Sequence, residues 1–196
     1  YYRPGDIALD SLRWRSGDNI DAKKFLSFIK KQDVDYHAWL DTLVQLAPIP
    51  NHPFNANLWH NKMMSYKLPE RESFLQYFLV YNYSPDSLDS NISRLLNWAW
   101  SPGVGKKITL AVAELAAKIL CWFLCSTMNC LRDRTTKALV NLLQYQTGAL
   151  LVILKEFRKV DDPYIIERLY AVAYGCILRT PDVKDKQSIG KLVYNQ

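Results

Sequence analysis

Residues 161–179, DDPYIIERLYAVAYGCILR, carry the pattern that decides the fold. Asp162 is placed to cap a helix and Pro163 to occupy its first position. The helix has two packing faces, and small residues on the second let a neighbouring helix come close. A helix that packs on two sides is stacked between others, as in solenoid proteins. The first face comprises Ile165, Ile166, Leu169, Val172, Ala173, Cys176 and Ile177, and the second Tyr164, Arg168, Ala171, Gly175 and Arg179.

The stretch LRDRTTKALVNLL, residues 131–143, is built in the same way. Asn129 is the predicted N-cap, and Asp133 then lies in the first turn, where the helix dipole favours an acid. Arg134, Lys137 and Asn141 fall on a second face. The apolar stripe comprises Leu131, Thr135, Ala138, Leu139, Leu142 and Leu143.

The rest of the chain predicts about ten helices with brief connections and no alternating strand pattern. Short connections favour antiparallel neighbours. We therefore expect an all-α fold of HEAT- or armadillo-like stacked helical hairpins, although no repeat consensus can be written. Residues 1–19 are expected to be an irregular segment, in which DIALDSLRW is open between a strand and a helical turn. Residues 20–196 are expected to form a single all-helical domain of repeat type. The chain has no initiator methionine, so we expect a processed chain or a fragment of a larger protein.

Residues 108–125, ITLAVAELAAKILCWFLC, are the most apolar part of the chain. A membrane span is disfavoured, because Glu114 and Lys118 lie mid-segment, four residues apart in the favourable order for an ion pair. We interpret the segment as a core helix, with no membrane partner. The cysteines lack the paired spacing of a zinc site, and we expect buried, reduced thiols in a cytoplasmic protein. They are Cys121, Cys125, Cys130 and Cys176.

No motif predicts catalysis, a metal or a cofactor. SPGVGKKIT resembles a phosphate-binding loop, but Trp100 stands where the first glycine is required and Lys107 where Ser or Thr is required. The three histidines lie too far apart to share a helical face, and surface or helix-packing roles are expected for them. Aromatic residues that could stack on nucleobases are interpreted as packing residues. These are Trp98, Trp100, Trp122, Tyr164, Tyr170 and Tyr174.

Arg132 and Arg134 have two interpretations. In the first, which we favour, they pair with acids of adjacent helices near Asp161 and Asp162. In the second they contact a polyanion, because the net charge is +6 and the whole excess lies in residues 101–196. This second interpretation predicts a nucleic-acid-binding module whose phosphate contacts are Arg132, Arg134, Lys137, Arg158 and Lys159.

Four stretches, LPERESFLQYFL, LLNWAW, LRDRTTKALVNLL and VDDPYIIERLYAVAYGCILR, resemble a helical region of very large bacterial ATP-binding proteins. Those proteins are similar to STAND-type NTPases associated with antiphage defence. The resemblance covers roughly residues 50–196. It implies a repeat array that senses a ligand, with the other domains of the same protein as partners. No phosphate-binding loop is present, so the resemblance implies no catalytic residue here. The leading prediction is a non-enzymatic scaffold or sensor segment.

Overall fold

The computed structural model describes residues 3–85 and 90–194; residues 1–2, 86–89 and 195–196 lie outside that description. The described residues form twelve α-helices and one 3-10 helix, Gly17–Asn19, with no strand among them. The predicted all-α class is therefore confirmed. The helices are α1 Pro4–Ser11, α2 Ala22–Lys31, α3 Tyr36–Leu46, α4 Ala56–Met64, α5 Leu68–Asn82, α6 Asn91–Trp100, α7 Val104–Lys107, α8 Leu110–Phe123, α9 Asn129–Leu143, α10 Thr147–Phe157, α11 Pro163–Arg179 and α12 Val183–Tyr194.

The N-terminal segment, for which we expected irregular structure, is helical over α1. Pro4 stands in the first turn, where its fixed φ suits a helix and its missing N–H costs nothing. Leu9 and Leu12 are buried. The choice left open for DIALDSLRW is therefore decided in favour of a helix that anchors this segment to the core.

The helices from α3 onward alternate between two layers, apart from α5 and the one-turn helix α7. The A layer comprises α4, α8, α10 and α12, and the B layer comprises α3, α6, α9 and α11. Within each layer, successive helices pack side by side. Helices adjacent in the chain, such as α8 with α9, pack across the layers. Stacked hairpins of this kind bury one continuous core between the layers.

Contacts within a layer recur at a nearly constant separation in sequence. In the A layer, Lys118 pairs with Glu156, 38 residues later. In the B layer, Arg168 bonds to Asp133 at a separation of 35, and Thr180 bonds to the carbonyl of Gln144 at 36. Contact positions advance together along α9 and α11, so these helices run parallel. These separations fall between the tetratricopeptide period of about 34 residues and the HEAT period of about 40–47 residues.

Helix α5 interrupts this spacing. Across it, the contact of Asp41 on α3 with Asn91 on α6 spans 50 residues, and that of Asn57 on α4 with Lys118 on α8 spans 61. Helix α5 packs against α3 and α8 and belongs to neither layer. It is an insertion into the repeat.

Helix α8 is the central element of the core, as predicted for residues 108–125. Lys118 is buried and bonds to Asn57 Oδ1 at 2.7 Å and to Glu156 at 2.8 Å. The predicted pairing of Lys118 with Glu114 is wrong, because Lys118 faces α4 and α10 across the A layer. Over residues 3–85 and 90–194, no helix is both long and apolar enough to cross a membrane.

The predicted start of α11 is correct, whereas the predicted start of α9 is wrong. Asp162 caps α11 by accepting hydrogen bonds from the N–H groups of Tyr164 and Ile165. Helix α9 instead begins at Asn129 itself, after Met128, and Asp133 lies beyond its first turn. The Asn129 side chain accepts a hydrogen bond from Arg132, so it does not serve as a cap.

Candidate interaction surfaces

The five predicted phosphate-binding residues contact different partners. Arg132 bonds to the Ser126 carbonyl at 3.3 Å, within the loop between α8 and α9. Arg134 bonds to Asn97 Oδ1 on α6. The Lys137 ammonium lies 5.7 Å from the centre of the Trp100 ring. Arg158 and Lys159 are exposed after the end of α10. Arg132, Arg134 and Lys137 therefore each contact a neighbouring element of the fold.

The predicted pairing of Arg132 and Arg134 with the acids near Asp161 and Asp162 is wrong. Asp162 caps α11. Asp161 accepts a hydrogen bond from the guanidinium of Arg71, with 2.7 Å between Nη2 and Oδ1. The hydrogen bond from Arg71 holds the pKa of Asp161 below its usual value. Arg71 is buried, and its guanidinium lies 5.5 Å from the centre of the indole ring of Trp122. Nothing in LPERESF distinguishes Arg71 from a surface arginine.

A groove of about 310 Å³ lies between α5 and the α8–α9 loop. Gln76 holds the loop in place: its Nε2 donates to the Cys125 carbonyl at 2.7 Å, and its Oε1 accepts from the Thr127 N–H at 3.0 Å. Burial raises the pKa of the Cys125 thiol to about 12, so it is not a thiolate nucleophile at neutral pH. The lining residues are Glu72, Gln76, Cys125, Ser126, Thr127, Arg132 and Tyr164.

The thiols and histidines are packing residues in the main. All four cysteines are free; Cys121 and Cys176 are buried as predicted, whereas Cys130 is exposed. His52 is buried, and its Nδ1 accepts the Phe54 N–H at 3.1 Å. His60 packs between the rings of Trp122 and Phe157. In the described part of the chain, no three His, Cys, Asp or Glu side chains cluster as metal ligands do.

An exposed aromatic surface lies where the inserted helix α5 meets α3. It comprises Tyr36, His37, Tyr77, Val80 and Tyr81, which we call the α3–α5 aromatic surface. The His37 ring stacks on Tyr81 with 3.9 Å between centroids and lies 5.0 Å from Tyr77. Tyr77, Val80 and Tyr81 are 64%, 57% and 65% exposed. Three large side chains on one helix therefore face solvent.

The sequence LPERESFLQYFLVYNY predicts one apolar face of Phe74, Leu75, Phe78, Leu79 and Tyr81, and this prediction is wrong for Tyr81. The buried face consists of Leu75, Phe78 and Leu79, with Phe74 half-buried against Trp59. Because α5 lies outside both layers, only one side of it is covered. Tyr77, Val80 and Tyr81 follow at helical spacing on the uncovered side. The sequence of α5 holds more large side chains than one buried face can accommodate. This surplus was the signal from which the exposed side could have been predicted.

Comparison with protein-family models, with curated proteins and with solved structures found no match to this chain. The function is therefore inferred from its own residues.

The remaining aromatics divide between core and surface. Trp122 is buried and Trp98 and Tyr170 are half-buried, in line with a packing role. Trp100, Tyr164 and Tyr174 are exposed, so the packing interpretation is wrong for these three. Tyr164 and Tyr174 both lie on α11.

Proposed function

We propose that this chain is a non-catalytic helical-repeat scaffold that binds another protein through the α3–α5 aromatic surface. The exposure of Tyr77, Val80 and Tyr81 on the helix inserted into the repeat carries the proposal. In repeat proteins, insertions gather on one face, which is often the binding face. Tyrosines are enriched at protein interfaces, where they supply apolar contact and a hydroxyl group at low entropic cost.

The surface has a rigid base, which favours binding over non-specific adhesion. Arg71 ties α5 to Asp161, and Gln76 ties it to the α8–α9 loop. Trp59 packs against both Phe74 and Phe78 from below. A preorganised surface loses little conformational entropy when a partner binds. The partner that fits is a protein segment with apolar side chains and hydrogen-bonding groups for the tyrosine hydroxyls.

The place of the scaffold in a larger protein rests on the resemblance to STAND-type NTPases. We propose that the chain is a sensor segment of such a cytoplasmic ATPase of the antiphage-defence kind. ATP hydrolysis would belong to another part of the polypeptide, and this segment would need no cofactor. The partner of the α3–α5 aromatic surface is then a protein ligand or another domain of the same protein.

Photo-crosslinking tests this proposal. The protein is produced in the cell with benzoylphenylalanine in place of Tyr77, and the cross-linked products are identified. We expect one dominant cross-linked polypeptide. Tyr81→Ser should abolish the cross-link, whereas Tyr164→Ser, which alters an equally exposed tyrosine on α11, should leave it intact. Both side chains are exposed, so each substitution should change the free energy of unfolding by less than about 0.5 kcal/mol.

Two results would contradict the proposal. One is a cross-link from position 77 no stronger than that from a control probe replacing Tyr194, which is exposed at the end of α12. The other is binding of a duplex DNA fragment that weakens steeply with salt and is lost in the Arg132→Ala/Arg134→Ala variant. That outcome would assign the chain to nucleic-acid binding.

A further inference from the structure

The C-terminal ends of α6 and α9 lie side by side, next to the short helix α7. The two helices run parallel, because their contacts advance together, from Arg134 with Asn97 to Lys137 with Trp100. Helix α7 follows α6 and packs against α9. We call this part of the surface the α7 edge. Its exposed side chains are Trp100, Lys106, Lys107, Lys137 and Tyr145.

The α7 edge is positively charged. No Asp or Glu occurs in residues 91–113 or 134–155, whereas each range holds three Lys or Arg residues. In the described part of the chain, none of the three lysines of the edge forms an ion pair with a carboxylate. The acid-free surface ends towards α12, where Asp185 bonds to Thr147. Helix dipoles favour cations at C-terminal ends even without a ligand, so charge alone does not identify a binding surface.

Two aromatic rings on the α7 edge supply the second observation. Trp100 and Tyr145 are each 43% exposed. The ammonium of Lys137 lies 5.7 Å from the centre of the Trp100 ring, and that of Lys106 lies 4.4 Å from the centre of the Tyr145 ring. Lys137 and Tyr145 belong to the same end of α9, and the two cation–ring pairs lie about 12 Å apart along its axis. Cations beside partly exposed rings are typical of surfaces that bind single-stranded nucleic acid.

Amide side chains fix the α7 edge in place. Gln146 Nε2 donates a hydrogen bond to the Gly105 carbonyl at 2.7 Å, which holds α7 against the end of α9. Asn141 Nδ2 donates to the carbonyls of Ala99 and Ser101, both at 2.9 Å, which holds the end of α6. A surface that is already ordered loses little conformational entropy when a ligand binds.

We infer that the α7 edge binds single-stranded nucleic acid. Lys106, Lys107 and Lys137 contact the phosphates, and unpaired bases stack on Trp100 and Tyr145. A single strand fits better than a duplex, because a base enclosed in a duplex does not offer its face to a side chain. Among the cations that the sequence suggested for phosphate binding, only Lys137 belongs to this edge. The inference does not rest on the α3–α5 aromatic surface, and either can fail without the other.

Fluorescence anisotropy of a labelled thymidine 12-mer, measured over a range of salt concentrations, tests the phosphate contacts. Lys106→Ala/Lys107→Ala should reduce the slope of log affinity against log salt by about 1.4, since each contact with a single strand contributes about 0.7. The matched control is Arg158→Ala/Lys159→Ala, which removes the same charge from the end of α10 and should leave the slope unchanged. A uridine 12-mer measured in parallel identifies RNA or DNA as the source, by which strand binds more tightly.

Substitution of Tyr145 tests the stacking of bases. Tyr145→Ala should weaken binding of the 12-mer about tenfold without changing the salt slope, because stacking releases no counterions. Tyr145→Phe keeps the ring and should bind like the unaltered protein. Thermal unfolding of each variant shows that it is folded.

Three results would overturn the inference. An abasic 12-mer that binds as tightly as the thymidine 12-mer would show that only phosphates are recognised. Equal losses of affinity in the two double-alanine variants would assign binding to net charge and not to the α7 edge. Absence of binding at low salt, with a lower melting temperature of Lys106→Ala/Lys107→Ala, would leave these lysines the role of complementing the helix dipoles.

Discussion

Two buried cations, Arg71 and Lys118, join helices that the hairpin connections leave separate. Arg71 links α5 to the loop between α10 and α11 through Asp161. Lys118 links α8 to α4 through Asn57 and to α10 through Glu156. A buried charge is costly unless a counter-charge and hydrogen bonds accompany it. These two side chains therefore favour the native placement of α5 and of the A layer over other compact arrangements.

Removal of the carboxylate of Asp161 should destabilise the protein more than removal of the arginine. Asp161→Ala leaves the guanidinium of Arg71 buried without its counter-charge and should lower the free energy of unfolding more than Arg71→Met does. Arg71→Met replaces the cation with an apolar side chain of similar length and should cost less than about 1.5 kcal/mol. Urea unfolding of both variants measures the two free energies.

The matched control is Asp133→Ala, which breaks the partly exposed pair with Arg168. It should cost less than about 1 kcal/mol, because both partners remain hydrated. In the Arg71→Met background, Asp161→Ala should add almost nothing. A full additive cost in that double variant would show that Asp161 acts through contacts other than Arg71.

Acidification from pH 7.5 to 5.5 should destabilise the protein through His52. Burial lowers the pKa of His52 below its usual value of 6.5, and its Nδ1 accepts a hydrogen bond that protonation would remove. The unfolded chain therefore binds more protons in this window, and stability falls as the pH falls. The contribution of one histidine cannot exceed about 1.4 kcal/mol per pH unit.

Chemical unfolding at the two pH values measures this effect. His52→Asn, whose side-chain oxygen can accept the Phe54 N–H, should show a shallower loss of stability. Some loss should remain, because burial and Lys118 also lower the pKa of His60. An unchanged pH dependence in His52→Asn would place the proton uptake elsewhere.

At the residue scale, a side chain's contact could be predicted from the sequence where its partners lie close by in the chain. The cap at Asp162 is one example, because its partners lie two and three residues ahead. The partners of Arg132 and Arg134 could not be predicted in this way. Arg134 contacts a residue 37 positions earlier, and Arg132 turns back to the loop before its own helix. Side-chain length and charge alone do not choose between these directions.

At the scale of elements, close approach of backbones fixes where α7 and α9 meet. A Cβ at Gly105 would lie 2.3 Å from the carbonyl oxygen of Leu142, so only glycine fits there. Gly105→Ala should cost about 1–3 kcal/mol, since one helix must move. Gly190→Ala is the control: a Cβ there meets nothing within 4 Å, and the change should stabilise α12 by about 0.5–1 kcal/mol. Thermal unfolding separates the two, and equal effects would contradict the packing explanation.

Most helices could be predicted because each carries its own apolar stripe and start signal. Helix α7 could not, because four residues are too few to show a period, and SPGVGKK reads as an interhelical turn. Helix α1 could not be predicted either, because glycine and charged residues near the start of the chain obscure its apolar stripe. The exposed side of α5 was missed for another reason. Periodicity identifies an amphipathic helix, but it does not show that a neighbour is absent on one side.

At the scale of the whole molecule, each layer position is stabilised chiefly by its neighbours, so resistance to local unfolding should be graded along the stack. Helices α8 and α9 have neighbours on both sides in their layers, whereas α2 and α12 lie towards the ends. Hydrogen exchange at neutral pH should therefore be slowest in α8 and α9 and fastest in α1, α2 and α12. Uniform exchange rates across all helices would indicate one cooperative unit.

The two-layer stack could be anticipated from the two-faced pattern of residues 161–179, but its register could not. The contacts that span 35 to 38 residues differ in chemistry: a lysine bonds to a glutamate, an arginine to an aspartate, and a threonine to a backbone carbonyl. The repeat is one of geometry and leaves no consensus of residue types. The link to STAND-type ATPases remains a prediction, because its motifs are structural.

The constant register of the A layer from α8 to α12 has a mechanical consequence. The Lys118–Glu156 contact joins α8 to α10, and the Thr147–Asp185 contact joins α10 to α12 at the same interval in sequence. Tension along the stacking direction would first widen the spacing between successive hairpins and then detach the terminal hairpin. Each detached unit of 38 residues would release roughly 130 Å of chain.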